Sequence, residues 1–297
     1  MQRWWLVAIA WVCALATGCA ERYEAPQTEG RDLRLAILHT TDIHSRLLPY
    51  DMQVLAGDSK LGLKQENAPF GGIARVAHVI KRERARADRV IHVDSGDCFQ
   101  GAPIFNAFRG EIEQRAMSHL RPDAVVIGNH EFDEGIKNYA TQLQRWATYP
   151  VLAVNYLFEP DEPLGKIAKP VEIINKDGMK IGIIGVANFS SISSITDIGN
   201  SLNLVPMEIH EVVQDWIDIL QPHVDLIVAV SHAGLGEDEE LIQATEGLDI
   251  IMGGHLHIVL NPPKVVKDKA GRDVVLAHSG AFAKFVGRLD VVVRDGD

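Results

Sequence analysis

The 297-residue sequence predicts an α/β domain built on mainly parallel strands, and three observations carry that expectation. Apolar runs of strand length recur along the chain, amphipathic helical patterns fall between them, and residues of metal-ligand type follow one run after another. Continuous apolar runs suit strands covered on both faces. Their alternation with helices suits parallel pairing with helices outside, and in such sheets ligands gather beyond the carboxyl ends of the strands.

The first element lies apart from the domain. Arg3 precedes an uncharged apolar stretch, Trp4 to Ala16, shorter than the ~20 residues of a membrane-spanning helix, so it reads as a targeting segment. Leu15-Ala16-Thr17-Gly18-Cys19 resembles a bacterial lipoprotein cleavage signal, implying export and a lipid anchor at Cys19 that faces the periplasm or the cell exterior. Residues 1–19 are then a signal peptide and 20–31 a polar tether. Residues 32–297 are long enough for one large domain with a full core. Cys13 and Cys19 fall in the leader and Cys98 stands alone, so no intramolecular disulfide is available and packing must hold the fold. The net charge of −11 argues against nucleic acid or an anionic membrane surface as a partner through bulk electrostatics; an anionic substrate needs a local cation.

Strands are expected at Leu33 to Leu38, Val90 to Val93, Ala124 to Ile127, Val151 to Val154, Ile181 to Val186, Leu226 to Val230, Asp249 to Met252 and Val274 to Ala277. Ile73, Val76, Ala77 and Ile80 form one helical stripe, with Lys81, Arg82, Arg84 and Arg86 solvated; Ile209, Val212, Val213, Trp216, Ile217 and Leu220 form another. Leu47 to Phe70 has no clear period and reads as a loop at the rim of a site.

The candidate ligands follow the strands. In an extended segment residues i and i+2 point together, so Asp42-Ile43-His44 offers two ligand-type side chains on one side. In Asp94-Ser95-Gly96-Asp97, Gly96 permits a tight turn that presents Asp97, the bridging candidate, while Asp94 braces the loop. Gly128-Asn129-His130-Glu131-Phe132-Asp133 is the most specific string. Asn129 offers an oxygen without negative charge, His130 can deliver a proton to a leaving oxygen, and Asp133, one helical turn on, can hold its tautomer. Glu131 points elsewhere and reads as structural. Ser231-His232-Ala233-Gly234 and Gly253-Gly254-His255-Leu256-His257 complete the set. His39, His92 and His278 belong to no paired motif and read as core or supporting residues, whereas His78, His119, His210 and His223 sit on helical stretches at the surface. A close metal pair needs oxygen and imidazole ligands from several segments, with one carboxylate shared.

With these motifs, and with Gly71-Gly72-Ile73-Ala74-Arg75, Asp94-Ser95-Gly96-Asp97-Cys98-Phe99-Gln100-Gly101, Gly182-Ile183-Ile184-Gly185 and Gly287-Arg288-Leu289-Asp290, the chain resembles the calcineurin-like metallophosphoesterase superfamily and, within it, the 5′-nucleotidase family, from about Leu33 to Val293. The resemblance implies a single catalytic domain folded as a four-layer αββα sandwich. It implies one divalent cation on Asp42, His44, Asp97 and His257, a second on Asp97, Asn129, His232 and His255, and a catalytic dyad of His130 and Asp133. The cations would be Mn, Fe, Zn, Co or Ni, and the reaction hydrolysis of a small anionic phosphoester, a nucleotide foremost, by hydroxide activated between them. Two-domain members clamp the base with an aromatic pair on a C-terminal domain, and the resemblance here covers the catalytic domain alone. Ser45 replaces the glycine usual after the first His. Relatives that cleave cyclic nucleotides, nucleotide sugars or a thiosulfate-type sulfur ester would use the same metals. The non-enzymatic alternative is an inactive metal-binding lipoprotein; His130 and Asp133 weigh against it, because neither is needed merely to hold metal.

Overall fold

The computed structural model describes residues 32–192 and 202–294; the expected signal peptide and tether lie outside them. The described strands are β1 (Leu33–Thr40), β2 (Val90–Asp94), β3 (Ala124–Val126), β4 (Val151–Leu152), β5 (Tyr156–Phe158), β6 (Val171–Lys176), β7 (Met179–Val186), β8 (Leu204–Pro206), β9 (Leu226–Ser231), β10 (Ile250–Gly253), β11 (Lys264–Lys267), β12 (Asp273–His278) and β13 (Gly287–Val293). Every strand expected from an apolar run is present. The helices that lie wholly within the described residues are α1 (Ala56–Lys60), α2 (Ile73–Arg84), α3 (Pro103–Phe108), α4 (Glu111–Leu120), α5 (Ile136–Trp146), α6 (Ile209–Leu220) and α7 (Leu235–Ala244).

One sheet runs β13-β1-β2-β3-β4 and a second β11-β12-β10-β9-β7-β6, while β5 and β8 form a small separate pair. Internal pairings are parallel; β13 on β1, β6 on β7 and β11 on β12 are antiparallel. The sheets face each other across a core that joins Leu35 and Val126 of the first to Val228, Val230 and Met252 of the second. Helices α2, α4 and α5 cover the outer face of the first sheet, and α6 and α7 cover the second, giving the four-layer αββα order.

The helices form for the expected reasons. Val76 and Ile80 bury the stripe of α2, and Ile209, Val213, Ile217 and Leu220 bury that of α6. Arg84 departs from the expectation of a solvated face. Its Nη1 donates to Leu120 O at 2.8 Å and its Nη2 to Arg121 O at 2.5 Å, because the C-terminus of α4 leaves carbonyls without helical partners. The Leu47 to Phe70 connection is also more ordered than expected. It contains α1, closes on itself through a Tyr50–Phe70 bridge and is tied to the β12–β13 loop by Lys284 Nζ, 2.8 Å from Asp58 Oδ1.

The parallel strands of both sheets end at one edge of the sandwich, and that edge carries the motifs. Asp42 and His44 follow β1, Asp97 follows β2 and Asn129 follows β3, all in the first sheet; His232 follows β9, and His255 and His257 follow β10, in the second.

Candidate metal centre

Six of the seven candidate ligands and His130 converge in space, and Asn129 adjoins His130 in the chain with its Oδ1 buried. Asp42, His44 and His257 form one cluster of possible ligand atoms, and Asp97, His232 and His255 a second, each within 4.8 Å mutually. Asp97 Oδ2 lies 3.8 Å from His44 Nε2 and 3.0 Å from His232 Nε2, so one carboxylate stands between the clusters. His257 Nε2 approaches Asp42 Oδ1 at 3.4 Å and His44 Nε2 at 3.0 Å.

The first loop reaches this arrangement by a route the sequence reading did not anticipate. Asp42 and His44 are not on an extended segment: their φ values are 50° and 49°, and Ser45 follows at 55°. β1 ends at Thr40, and the left-handed turn folds both side chains inward while Asp42 N donates to Gly96 O (2.9 Å) and His44 N to Asp97 O (3.0 Å). The second loop behaves as expected. Asp94 accepts from Thr40 Oγ1 (2.6 Å) and Gly96 N (3.0 Å), and a Cβ on Gly96 would lie 2.7 Å from Gly128 N. Glu131 is a brace. Its carboxylate accepts from Asp97 N (3.0 Å), Cys98 N (2.8 Å) and Gly128 N (2.8 Å), welding the second and third loops.

Hydrogen bonds fix the tautomers. His44 Nδ1 faces the carbonyls of Phe99 and Gln100 at 3.1 and 3.0 Å, and His232 Nδ1 faces that of Ser95. A carbonyl only accepts, so Nδ1 carries a proton in each ring and Nε2 is the nitrogen left facing the cluster, free to ligate once deprotonated. Asn129 Oδ1 and His232 Nε2 are buried without a hydrogen-bond partner among the described residues. His232 Nε2 lies 3.0 Å from Asp97 Oδ2, where a proton on Nε2 pairs the two groups. A buried amide oxygen and a buried imidazole nitrogen left without hydrogen bonds are groups a cation can satisfy.

The electrostatics agree. Burial alone would raise the Asp97 carboxyl, but His232, His44 and His130 outweigh it and hold the group below the usual carboxylate range. Burial alone would lower His232, yet Asp97 leads the carboxylates that push it up to about 10. Buried negative charge here demands a positive counterpart. His130 stands beside the first cluster, its ring 5.1 Å from that of His44, and its backbone N donates to Asp97 Oδ1 at 2.9 Å. Its Nδ1 lies 2.9 Å from Asp133 Oδ2, and that bond raises the imidazole above its ordinary value.

Several contributors escaped the sequence reading. Asn188, directly after β7, donates from Nδ2 to His232 O at 3.1 Å, and Asn155, after β4, exchanges hydrogen bonds with Ala187. Both carry the strand-end polar signal used for the ligands and were legible by it. His278 bonds Asp238, whose other oxygen accepts from Ser231 Oγ, while His39 joins Ser95 to Ser279. These buried histidines support the site from behind. His78, His119 and His223 are exposed and His210 is half-buried. Phe282, whose ring lies 4.8 Å from that of His257, gave no signal in sequence.

The calcineurin-like phosphoesterase family model matches residues 35–259. The snake venom 5′-nucleotidase of Crotalus adamanteus is 31% identical over 318 residues, covering 98% of this chain and 49% of that protein. A solved 5′-nucleotidase precursor from Thermus thermophilus is 30% identical with a TM-score of 0.75, over 87% of this chain and 51% of that one. The Haemophilus influenzae NAD nucleotidase, 24% identical over 89% of this chain and 48% of its own, shares the fold with a TM-score of 0.77. The chain spans about half the length of these relatives.

Proposed function

Because the chain belongs to the calcineurin-like phosphoesterase family, we propose that it is a metal-dependent phosphoesterase that hydrolyses nucleotide phosphomonoesters, as a 5′-nucleotidase does. The observation that carries this reading is the meeting of two ligand clusters around Asp97 with the His130–Asp133 pair at their edge. Asp42, His44, Asp97 and His257 would hold one divalent cation, and Asp97, Asn129, His232 and His255 the other. The donor set of imidazole, carboxylate and amide oxygen fits Mn, Fe, Zn, Co or Ni. When bound, such a pair supplies Lewis acidity toward the phosphoryl oxygens and a nucleophile near neutral pH.

The protein's own groups do the rest. His130, with Nδ1 engaged by Asp133, presents Nε2 to the leaving oxygen and gives it a proton, and Asp133 supports the charged imidazole until it does. Asn129 adds an oxygen without repelling the phosphate. Glu131 holds the loops so that Asp97 and His130 keep their spacing. A retained proton-transfer pair has no use in a protein that only stores metal, so the enzymatic reading is preferred to the binding one.

We further propose that the chain is exported and anchored to a bacterial membrane through Cys19, on the strength of its leader sequence. No helix among the described residues is long and apolar enough to cross a membrane. Cys19→Ala is expected to abolish metabolic labelling with a radioactive fatty acid; undiminished labelling would remove Cys19 as the anchor.

A panel of nucleoside monophosphates, a cyclic nucleotide, a nucleotide sugar and an aryl phosphate, assayed with added manganese, tests the activity. Turnover of monophosphates above the rest is expected, and silence on the whole panel would favour the binding reading. Asp97→Ala is expected to lose metal and nearly all activity. His130→Asn is expected to keep metal and slow turnover on the order of a hundredfold or more. Metal analysis beside kinetics checks both.

A further inference from the structure

The histidines of the first cluster and its neighbour are not equally held. His44 Nδ1 rests on two backbone carbonyls and His232 Nδ1 on one. His257 Nδ1 has no hydrogen-bond partner among the described residues, and its side chain is 37% exposed against 5% for His44. A ligating imidazole is ordinarily oriented by the hydrogen bond of its other nitrogen. His257 has an aromatic wall instead. The ring of Phe282 meets it edge to face at 4.8 Å and 74°, and leans on His44 at 5.6 Å.

Phe282 itself is tightly constrained. Its N–H donates to Asp42 O at 2.7 Å, its carbonyl accepts from Tyr50 Oη at 2.9 Å, and its φ is +64°. A bulky residue holds such a backbone only where its surroundings over-determine it, and such positions cluster at functional sites. Core filling does not account for it: Phe282 is half-buried, belongs to neither hydrophobic core and puts its ring against two imidazoles. Tyr50 in turn carries the Arg46 guanidinium 5.0 Å from its ring, so a strut runs from the outer loop to the cluster.

We infer that Phe282 is a positioning residue that sets the orientation of His257, and through it the affinity of the cation site made by Asp42, His44 and His257. The inference rests on the proposed reading that these side chains hold a cation. It assigns the strut Arg46, Tyr50 and Phe282 to one of the two sites and not to the other, where His232 is fully buried and oriented by the Ser95 carbonyl.

Calorimetric titration of the metal-free full chain with Mn2+, repeated with Co2+ while following its visible absorption, tests it. The wild type is expected to take up two cations. Phe282→Ala is expected to bind one as the wild type does and the other about 10- to 100-fold more weakly. Phe282→Tyr, which keeps the ring, should restore both, and Tyr50→Phe, which removes only the hydroxyl that holds the Phe282 carbonyl, should weaken the same site by less. Unchanged affinities in Phe282→Ala, or equal weakening of both sites, overturn the inference. If circular dichroism shows Phe282→Ala unfolded, Phe282→Leu and Tyr50→Phe decide by the same criterion. His257→Ala separates the two readings. If it binds both cations like the wild type, the ligand assignment fails and the inference falls with it; if it loses one cation while Phe282→Ala loses none, only the inference fails.

Discussion

Asp42, His44, Ser45, Asp97, His255, His257, Phe282 and Ala283 all have positive φ, although none is glycine. Each such residue costs roughly 1–2 kcal/mol relative to ordinary backbone. The concentration of this strain around the candidate metal centre explains why Asp42-Ile43-His44 misled as an extended segment: the backbone that brings the two side chains to the cluster is one that side-chain identity does not encode. Ala283 gives a direct test. At φ 54° glycine adopts the same backbone without the Cβ clash, and the relief should exceed the added freedom of the unfolded chain. Ala283→Gly is therefore expected to stabilise the fold by up to about 1 kcal/mol in urea unfolding. A loss of stability would show that the backbone there is not strained.

At the scale of elements, legibility followed burial. β1, β2, β7, β9 and β10 are buried almost end to end, so their sequences are unbroken apolar runs and announced themselves. β6, β11 and β13 lie at sheet edges with one face toward solvent, and runs such as Lys264-Val265-Val266-Lys267 carry the charge that edges need. β3 and β4 were found but shortened, because their last residues turn into loops. The strand-end positions of the ligands were legible for the same reason as the strands. The aromatic wall was not, since nothing in Gly280-Ala281-Phe282-Ala283 states where the loop after β12 folds back.

The seam between β1 and β2 carries a pH dependence. His92 of β2 is fully buried, pairs through Nε2 with Thr40 Oγ1 at 2.8 Å, and is lowered by burial and by Arg84 from 6.5 to about 3. In the unfolded chain it takes up a proton below about pH 6.5, and in the folded chain it does not. Its contribution is thus intact above about pH 6.5 and is lost as pH falls toward about 3. Replacing it with a group that does not titrate should remove that loss. Between about pH 7 and pH 5 the wild type is expected to lose on the order of 2 kcal/mol more stability than His92→Gln. Urea unfolding at the two pH values measures this, and parallel losses would mean that the imidazole is charged in the fold.

For the whole molecule, if cations bind as proposed, the net charge of −11 and the buried carboxylates of the centre would make the metal-free protein the less stable form. A ligand that binds the folded state alone stabilises it by about 2.7 kcal/mol per site at a hundred times its dissociation constant. Saturating Mn2+ is accordingly expected to raise the thermal midpoint by several degrees, and Asp97→Ala to abolish the gain; an equal rise in that variant would place the cations elsewhere.

The candidate ligands are divided between the sheets: Asp42, His44, Asp97 and Asn129 hang from one, His232, His255 and His257 from the other. Cations seated there would act as a clasp across the mouth of a clam whose valves are the two β layers. Any splaying of those valves would unfasten the clasp before it disturbed either layer, so metal occupancy would report the gap between them, and amide exchange at the tips of β2 and β10 should slow together when the clasp is closed.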